Sequence, residues 1–310
     1  MKQHRPTVMS GGILAGMLGP RQFSGGTAIT QTPEQIIQGI FTGGAVGAWY
    51  DPSDFSTMFD TVYAQNTITA ATQSVGFMLD KSMSLAQGAD ILVNGSFTGS
   101  ATGWTLGSSW VYGGNALNGV VASSPEYASA SGSPTLTAGA LYKVETISTL
   151  NSGSNYFQVY GGAYSRAITS PGTNYAYLIN SSAVKMSLRG VFPTVSVVVD
   201  NVTVKLMDSR PAYNANTGQR PVLTLTAGSY WLNFDAVDDA LITVFPNLGT
   251  DVTIARAVQG VGTVILTGQT IAAGSWSYNT DHAGLIIVNR ALTGAETTAV
   301  TQYLNAKAGV

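Results

Sequence analysis

At 310 residues the chain is long enough to bury two cores, yet only 10% of its side chains are charged and its formal net charge is −2. That excludes the basic face of a nucleic-acid binder and leaves the polar surface to Ser, Thr, Asn, Gln and Gly. There is no cysteine, and His4 and His282 are the only histidines, which excludes disulfides, thiolate metal sites, His clusters and most His-based triads.

Met1 to Arg5 followed by Val8 to Leu18 mimics a signal peptide. The apolar run is broken by Gly11, Gly12 and Gly16, and no small-residue cleavage site follows it. No apolar run reaches the roughly 18 residues of a membrane span, so no membrane insertion is expected. Residues 1–31, rich in Gly, Ser, Thr and Gln, read as an extended arm. Thr32-Pro33-Glu34-Gln35 then starts a helix, with Thr as N-cap, Pro at the first position and Gln closing a capping box. Ile36, Ile37, Ile40 and Phe41 follow at helical spacing, and Gly43-Gly44 ends the helix. Such a helix must dock either on its own domain or on a partner subunit. In the second case these four residues are assembly contacts, ordered only against a neighbour.

Val46, Ala48 and Tyr50 alternate as in a strand, Asp51-Pro52-Ser53-Asp54 is turn chemistry, and Ser74 to Leu79 reads as a second strand. Residues 83–89 form a small-residue linker. Beyond it Asn94-Gly95 signals a turn, Trp104 suits a core, and Gly139 allows positive φ between two strands. Tyr156 to Tyr160 alternates, placing Phe157 and Val159 on one face and Tyr156, Gln158 and Tyr160 on the other. Val195, Val197 and Val199 alternate as well. From Asp208 onward, Pro221 to Leu225, Leu241 to Val244, Val252 to Ala255, Val264 to Leu266 and Leu285 to Val288 are strand candidates. A closing helix has a capping box at Thr293 and Glu296, a stripe of Val300, Tyr303 and Leu304, and Gly309 where a C-terminal cap belongs.

Four of these stretches carry a resemblance. Trp49-Tyr50-Asp51-Pro52-Ser53-Asp54, Asp80-Lys81-Ser82, Arg210-Pro211-Ala212-Tyr213 and Phe234-Asp235-Ala236-Val237-Asp238-Asp239 resemble the W-x-D-x-S-D, D-K-S, R-P-x-Y and F-D-G-x-D-D patterns of laminin-G/concanavalin-like sandwiches. Ala236 departs from the usual Gly; if that position takes positive φ, the turn is strained or reshaped. Residues 83–209 separate the second pattern from the third. Within them Asn94-Gly95-Ser96-Phe97, Gly103-Trp104, Leu136 to Tyr142 and Asp200-Asn201-Val202-Thr203-Val204 resemble a carbohydrate-binding-module jelly roll. The implied fold is all-β, two β-sandwiches with short N- and C-terminal helices. Residues 1–44 are the arm and docking helix, 45–89 plus 208–310 a discontinuous sandwich, and 90–207 its inserted jelly roll. The W-Y-D-P-S-D start, the L-D-K-S stretch and Ile265 to Ile271 together resemble bacteriophage virion proteins. That implies a structural component of a tailed-phage particle, folded in the host cytoplasm and assembled with other virion proteins and with copies of itself.

The chemistry is sparse. Asp235, Asp238 and Asp239 form one acidic cluster, and Asp51 with Asp54 another; adjacent aspartates in turns usually accept backbone N–H bonds rather than face each other across a sugar. Carbohydrate-module jelly rolls commonly hold a structural Ca²⁺, whose ligands include an acidic residue after N-G-x-F and the Asp of D-N-V. Thr98 stands at the first place, leaving Asp200 as the calcium candidate. Aromatic candidates for stacking on a sugar are Trp110, Tyr112, Tyr156, Tyr160, Tyr164, Tyr175 and Tyr177. Tyr156, Gln158 and Tyr160 are the preferred set because two rings there flank an amide. No phosphate loop, nucleophile elbow or zinc motif is present. The expectation is a non-enzymatic virion structural protein without a cofactor; the alternative is a glycan-binding adhesin for a host surface.

Overall fold

A computed structural model of the chain describes residues 31–62, 64–120, 126–150, 156–162, 165–179, 183–191 and 197–310. Gln31 apart, the expected arm lies outside them. Residues 32–310 form one compact unit. It is all-β: five antiparallel sheets, with helices α1 (Pro33–Thr42) and α2 (Gly294–Ala308), among the described residues.

Sheet membership follows the sequence segments. In a flanking sandwich, Gly47–Tyr50, Gly284–Val288, Gly249–Val258 and Gly262–Ile271 form one sheet. Met58–Phe59, Phe77–Met78, Ala212–Tyr213, Leu241–Phe245 and Gly274–Tyr278 form the facing sheet. Ala48, Tyr50, Val252 and Ile287 of the first meet Met78, Ala212, Leu241 and Phe245 of the second in one core. The central sandwich pairs a sheet of Gly172–Ile179, Leu141–Leu150, Val197–Met207, Ala116–Gly119 and Trp110–Gly113 with a sheet of Ser165–Ile168, Tyr156–Tyr160, Ser187–Val191, Glu126–Ser129 and Thr105–Leu106. Its core, from Phe97 to Val204, contains no residue of the flanking segments. Gly95 shows how tightly it is closed: a Cβ there would lie 2.0 Å from the Val202 carbonyl oxygen.

The expected capping boxes form. Thr32 Oγ1 accepts from the Gln35 N–H while Gln35 Oε1 accepts from the Thr32 N–H, and Thr293 and Glu296 do the same. Gly309, at φ 79°, closes α2. The partner-docking expectation for α1 needs correction. Strand Gly47–Tyr50 is buried on both faces, so its outward face, carrying Trp49, needs a cover. α1 and α2 supply it, and Ile37, Ile40 and Phe41 are buried there with Trp49, Ile286, Val300, Tyr303 and Leu304. Burying those side chains is worth roughly 1.5–3 kcal/mol each, against about 1 kcal/mol for the cap; packing therefore fixes α1. Only Ile36 stays half-buried.

The linker expectation also changes. Gln87–Asp90 is a strand paired with the end of Val197–Met207, with Asp90 opposite Lys205 and Gln87 opposite Met207. The second expected strand shrinks to Phe77–Met78. Where the segments exchange, Asp80 is fully buried. Its carboxylate accepts from the N–H groups of Trp49 (2.8 Å), Ser82 (2.8 Å) and Arg210 (3.0 Å) and from Ser82 Oγ (2.8 Å). Burial pushes its pKa up and these donors oppose the shift. Phe59, Phe77 and Leu79 pack with Leu141, Ile179 and Met207 in a smaller cluster shared by the two sandwiches.

Candidate functional site

Strand Tyr156–Tyr160 positions the preferred sugar-contact set. Its alternation sends Phe157 and Val159, both fully buried, into the core and turns Gln158 and Tyr160 outward, half-buried. The Tyr156 and Tyr164 side chains lie outside the described residues. Across the ladder Gln158 stands opposite Arg189, and Arg189 opposite Tyr127. Arg189 Nη1 donates to Gln158 Oε1 at 2.7 Å, and its buried Nε has no partner. The Tyr127 and Tyr160 rings meet edge to face with centroids 5.5 Å apart, and Tyr127 is 38% exposed. Ser187 lies beside Tyr160 and shares a 2.9 Å hydrogen bond with Ser129. The result is a patch with two phenol rings, an amide–guanidinium pair and hydroxyls. It offers faces for stacking and groups for hydrogen bonding.

Tyr127 and Arg189 were not foreseen; they reach Tyr160 and Gln158 only through strand register. Trp110 is withdrawn as a contact, because the core consumes it and its indole N–H donates to the Glu126 carbonyl. Trp104 is in the core as expected, its N–H donating to the Asn94 carbonyl. Tyr112 donates to Asn115 Oδ1 at the end of a hairpin. Tyr175, 42% exposed, and Tyr177 lie on the opposite sheet, away from this patch.

The acidic groups are occupied. Asp235 Oδ1 accepts from the N–H groups of Val237, Asp238 and Asp239, which lowers its pKa, while Asp239 Oδ2 accepts from the Asp235 N–H. The cluster is a turn, as its spacing suggested, although its ligand atoms lie within 4.8 Å of one another. Among the described residues it is the one acidic or His group that converges in this way, and Asp200, exposed at a bulge, stands outside it. Asp51 Oδ2 accepts from Tyr303 Oη (2.7 Å), Lys307 Nζ (3.0 Å) and Lys81 Nζ (3.2 Å), and its Oδ1 accepts from Ser53. Burial pushes this carboxyl up, but the two lysines and the hydrogen bonds win and hold it at about 2.

No family model and no curated protein matches the chain. Among solved structures, the N-terminal CBM22-1-CBM22-2 tandem domain from Paenibacillus barcinonensis Xyn10C is similar over 68% of this chain and 95% of that one, at 12% sequence identity and a TM-score of 0.32. Similarity at that level carries no argument about ligand or arrangement.

Proposed function

We propose that the chain is a non-enzymatic attachment protein of a tailed-phage particle: a discontinuous laminin-G-like sandwich that holds out an inserted jelly roll, which touches surface glycans through the Tyr160 face. One observation carries the glycan reading. Tyr127, Tyr160, Gln158 and Arg189 form a contiguous patch that the core does not use. Shallow sugar sites need such ring faces beside amide and hydroxyl groups. The virion reading rests on the sequence resemblance. The discontinuous sandwich, a separate part of the reading, is supported by the meeting of the patterns, since Asp80 of one binds the backbone of Arg210 in another, 130 residues away.

Single-site affinity should be weak, with a Kd on the order of 0.1–1 mM, because shallow sites bury little area. Repetition on a particle would raise avidity roughly 10²–10⁴-fold. Tyr160→Ala should abolish retention on a glycan array and adsorption to cells while leaving the thermal midpoint nearly unchanged. Undiminished adsorption of that variant would reject the glycan reading. A purified chain that never copurifies with a particle would reject the virion reading.

A further inference from the structure

The two sheets of the central sandwich have edges at Ser165–Ile168 and Gly172–Ile179, which are consecutive in the chain. Between these edges and the 56–67 segment of the flanking sandwich lies a cleft of about 370 Å³, walled by Arg166, Thr173, Tyr175, Tyr177, Phe59 and Thr67. That volume falls within the roughly 300–1,000 Å³ of small-molecule sites. Arg166 is short of acceptors. Its Nη2 donates to the Gln65 carbonyl at 3.1 Å, and Gln65 Nε2 returns a bond to the Ala167 carbonyl at 3.2 Å. Its Nε is buried and out of a ligand's reach, so the donors open to one are those on the Nη atoms, and among the described residues it has no ion pair. Asp60, the acid whose field reaches it, is engaged by the N–H (3.0 Å) and side-chain amide (2.7 Å) of Asn66. A guanidinium offers five donors and prefers a planar, two-oxygen acceptor.

The aromatic part of the cleft is firm on one side and open on the other. Tyr177 stacks on Phe77 with centroids 6.1 Å apart and lies 5.4 Å from Phe59. Tyr175 is 42% exposed, with Lys143 Nζ 4.4 Å from its ring centroid. Strand register places Lys143 beside Tyr177 and Lys205, and Glu145 beside Tyr175. Two lysines share the face with two carboxylates, Glu145 and the Asp90 that stands opposite Lys205, so the excess positive charge at the cleft is that of Arg166.

We infer that this cleft is a second binding site, separate from the Tyr160 face, for a carboxylated sugar: the carboxylate supplies the acceptors that Arg166 lacks, and the C–H face of the ring stacks on Tyr175. A neutral sugar's hydroxyls can accept from the guanidinium but leave its charge unpaired, so the site discriminates by charge.

The test is an NMR titration of the full chain with glucuronic acid, N-acetylneuraminic acid and glucose. At least one acid should saturate with a Kd on the order of 1 mM, and glucose should bind about tenfold more weakly. A preference for either acid names the source, a uronate polymer or a sialylated glycan. Arg166→Gln should erase the preference for the acid. Because that change also disturbs the Gln65 contact, Tyr175→Ala, at an exposed side chain, should independently abolish acid binding in a folded protein. Tyr160→Ala should leave it intact. Saturation by neither acid, equal binding of glucose, or loss with Tyr160→Ala in place of Tyr175→Ala would overturn the inference.

Discussion

The two sandwiches bury different chemistry. The flanking one encloses Asp51, Asp80, Arg220 and His282, whereas the buried polar groups of the central one are Ser109, Ser133, Thr146, Ser148 and Ser187. Among the described residues every buried charged or imidazole side chain thus belongs to the sandwich whose sequence is interrupted. Apolar contact is non-directional and suits a domain made of contiguous, alternating strands. A domain whose halves must find each other across a long interruption gains from directional ties that accept only one pairing. Arg220 illustrates this, donating to the carbonyls of Asn214, Ala215 and the distant Asp60.

Asp80→Ala gives the largest expected effect. It strands three backbone N–H groups, on Trp49, Ser82 and Arg210, in a site without water access. The cost should be at least about 3 kcal/mol, read as a fall in the denaturation midpoint. Hydrogen exchange should show it in the flanking strands while the core around Phe157 and Val202 keeps its protection. A cost below about 1 kcal/mol, or equal loss in both sandwiches, would break the comparison.

Acid should separate them next. Burial depresses His282 to about 4, with Arg256 adding to the shift and the Thr280 carbonyl opposing it. Folded His282 is therefore neutral where the unfolded chain already takes up a proton. Stability should be full above pH ~6.5 and fall by about 3 kcal/mol as pH drops to ~4. Below that, Asp51 and Glu296, both held at about 2, add a second loss between pH ~4 and ~2. Exchange at pH 6.5 and 4.5 should localise the first loss to the flanking sandwich, and His282→Phe should flatten it. A slope that survives His282→Phe would assign it elsewhere.

Local chemistry was legible in the sequence and pairing was not. Both capping boxes, the Gly309 cap, the burial of Phe157 and Val159 and the strands starting near 222, 241, 249, 262 and 284 follow from side chains a few residues apart. Gln87–Asp90 does not, because all four residues are exposed and the strand exists only through its ladder to Val197–Met207. Ser229–Asn233 and Gly274–Tyr278 were also missed. The first belongs to a two-stranded ribbon, and the second sets Trp276 and Tyr278 among small residues. The Tyr160 face was half visible for the same reason. Alternation gives Gln158 and Tyr160, while Arg189 and Tyr127 arrive by register from strands roughly 30 residues away in either direction.

The smallest effect probes the flanking sandwich where it departs from the pattern it resembles. Ala236 has φ 60°, in the left-handed region where that pattern places Gly. The turn is held there by the three N–H bonds to Asp235 Oδ1, so the backbone cannot relax without losing them. Left-handed backbone costs a non-glycine residue roughly 1–2 kcal/mol, and glycine gives back about 0.5–1 kcal/mol through its looser unfolded chain. The Ala236 side chain is exposed, so removing it sacrifices no packing. Ala236→Gly should therefore stabilise the protein by about 0.5–1 kcal/mol, raising the flanking sandwich's midpoint by roughly 1–3 °C and leaving exchange in the central core unchanged. A lowered midpoint would mean that the aspartate bonds already offset the strain, so that alanine's smaller loss of chain entropy on folding outweighs what remains of it.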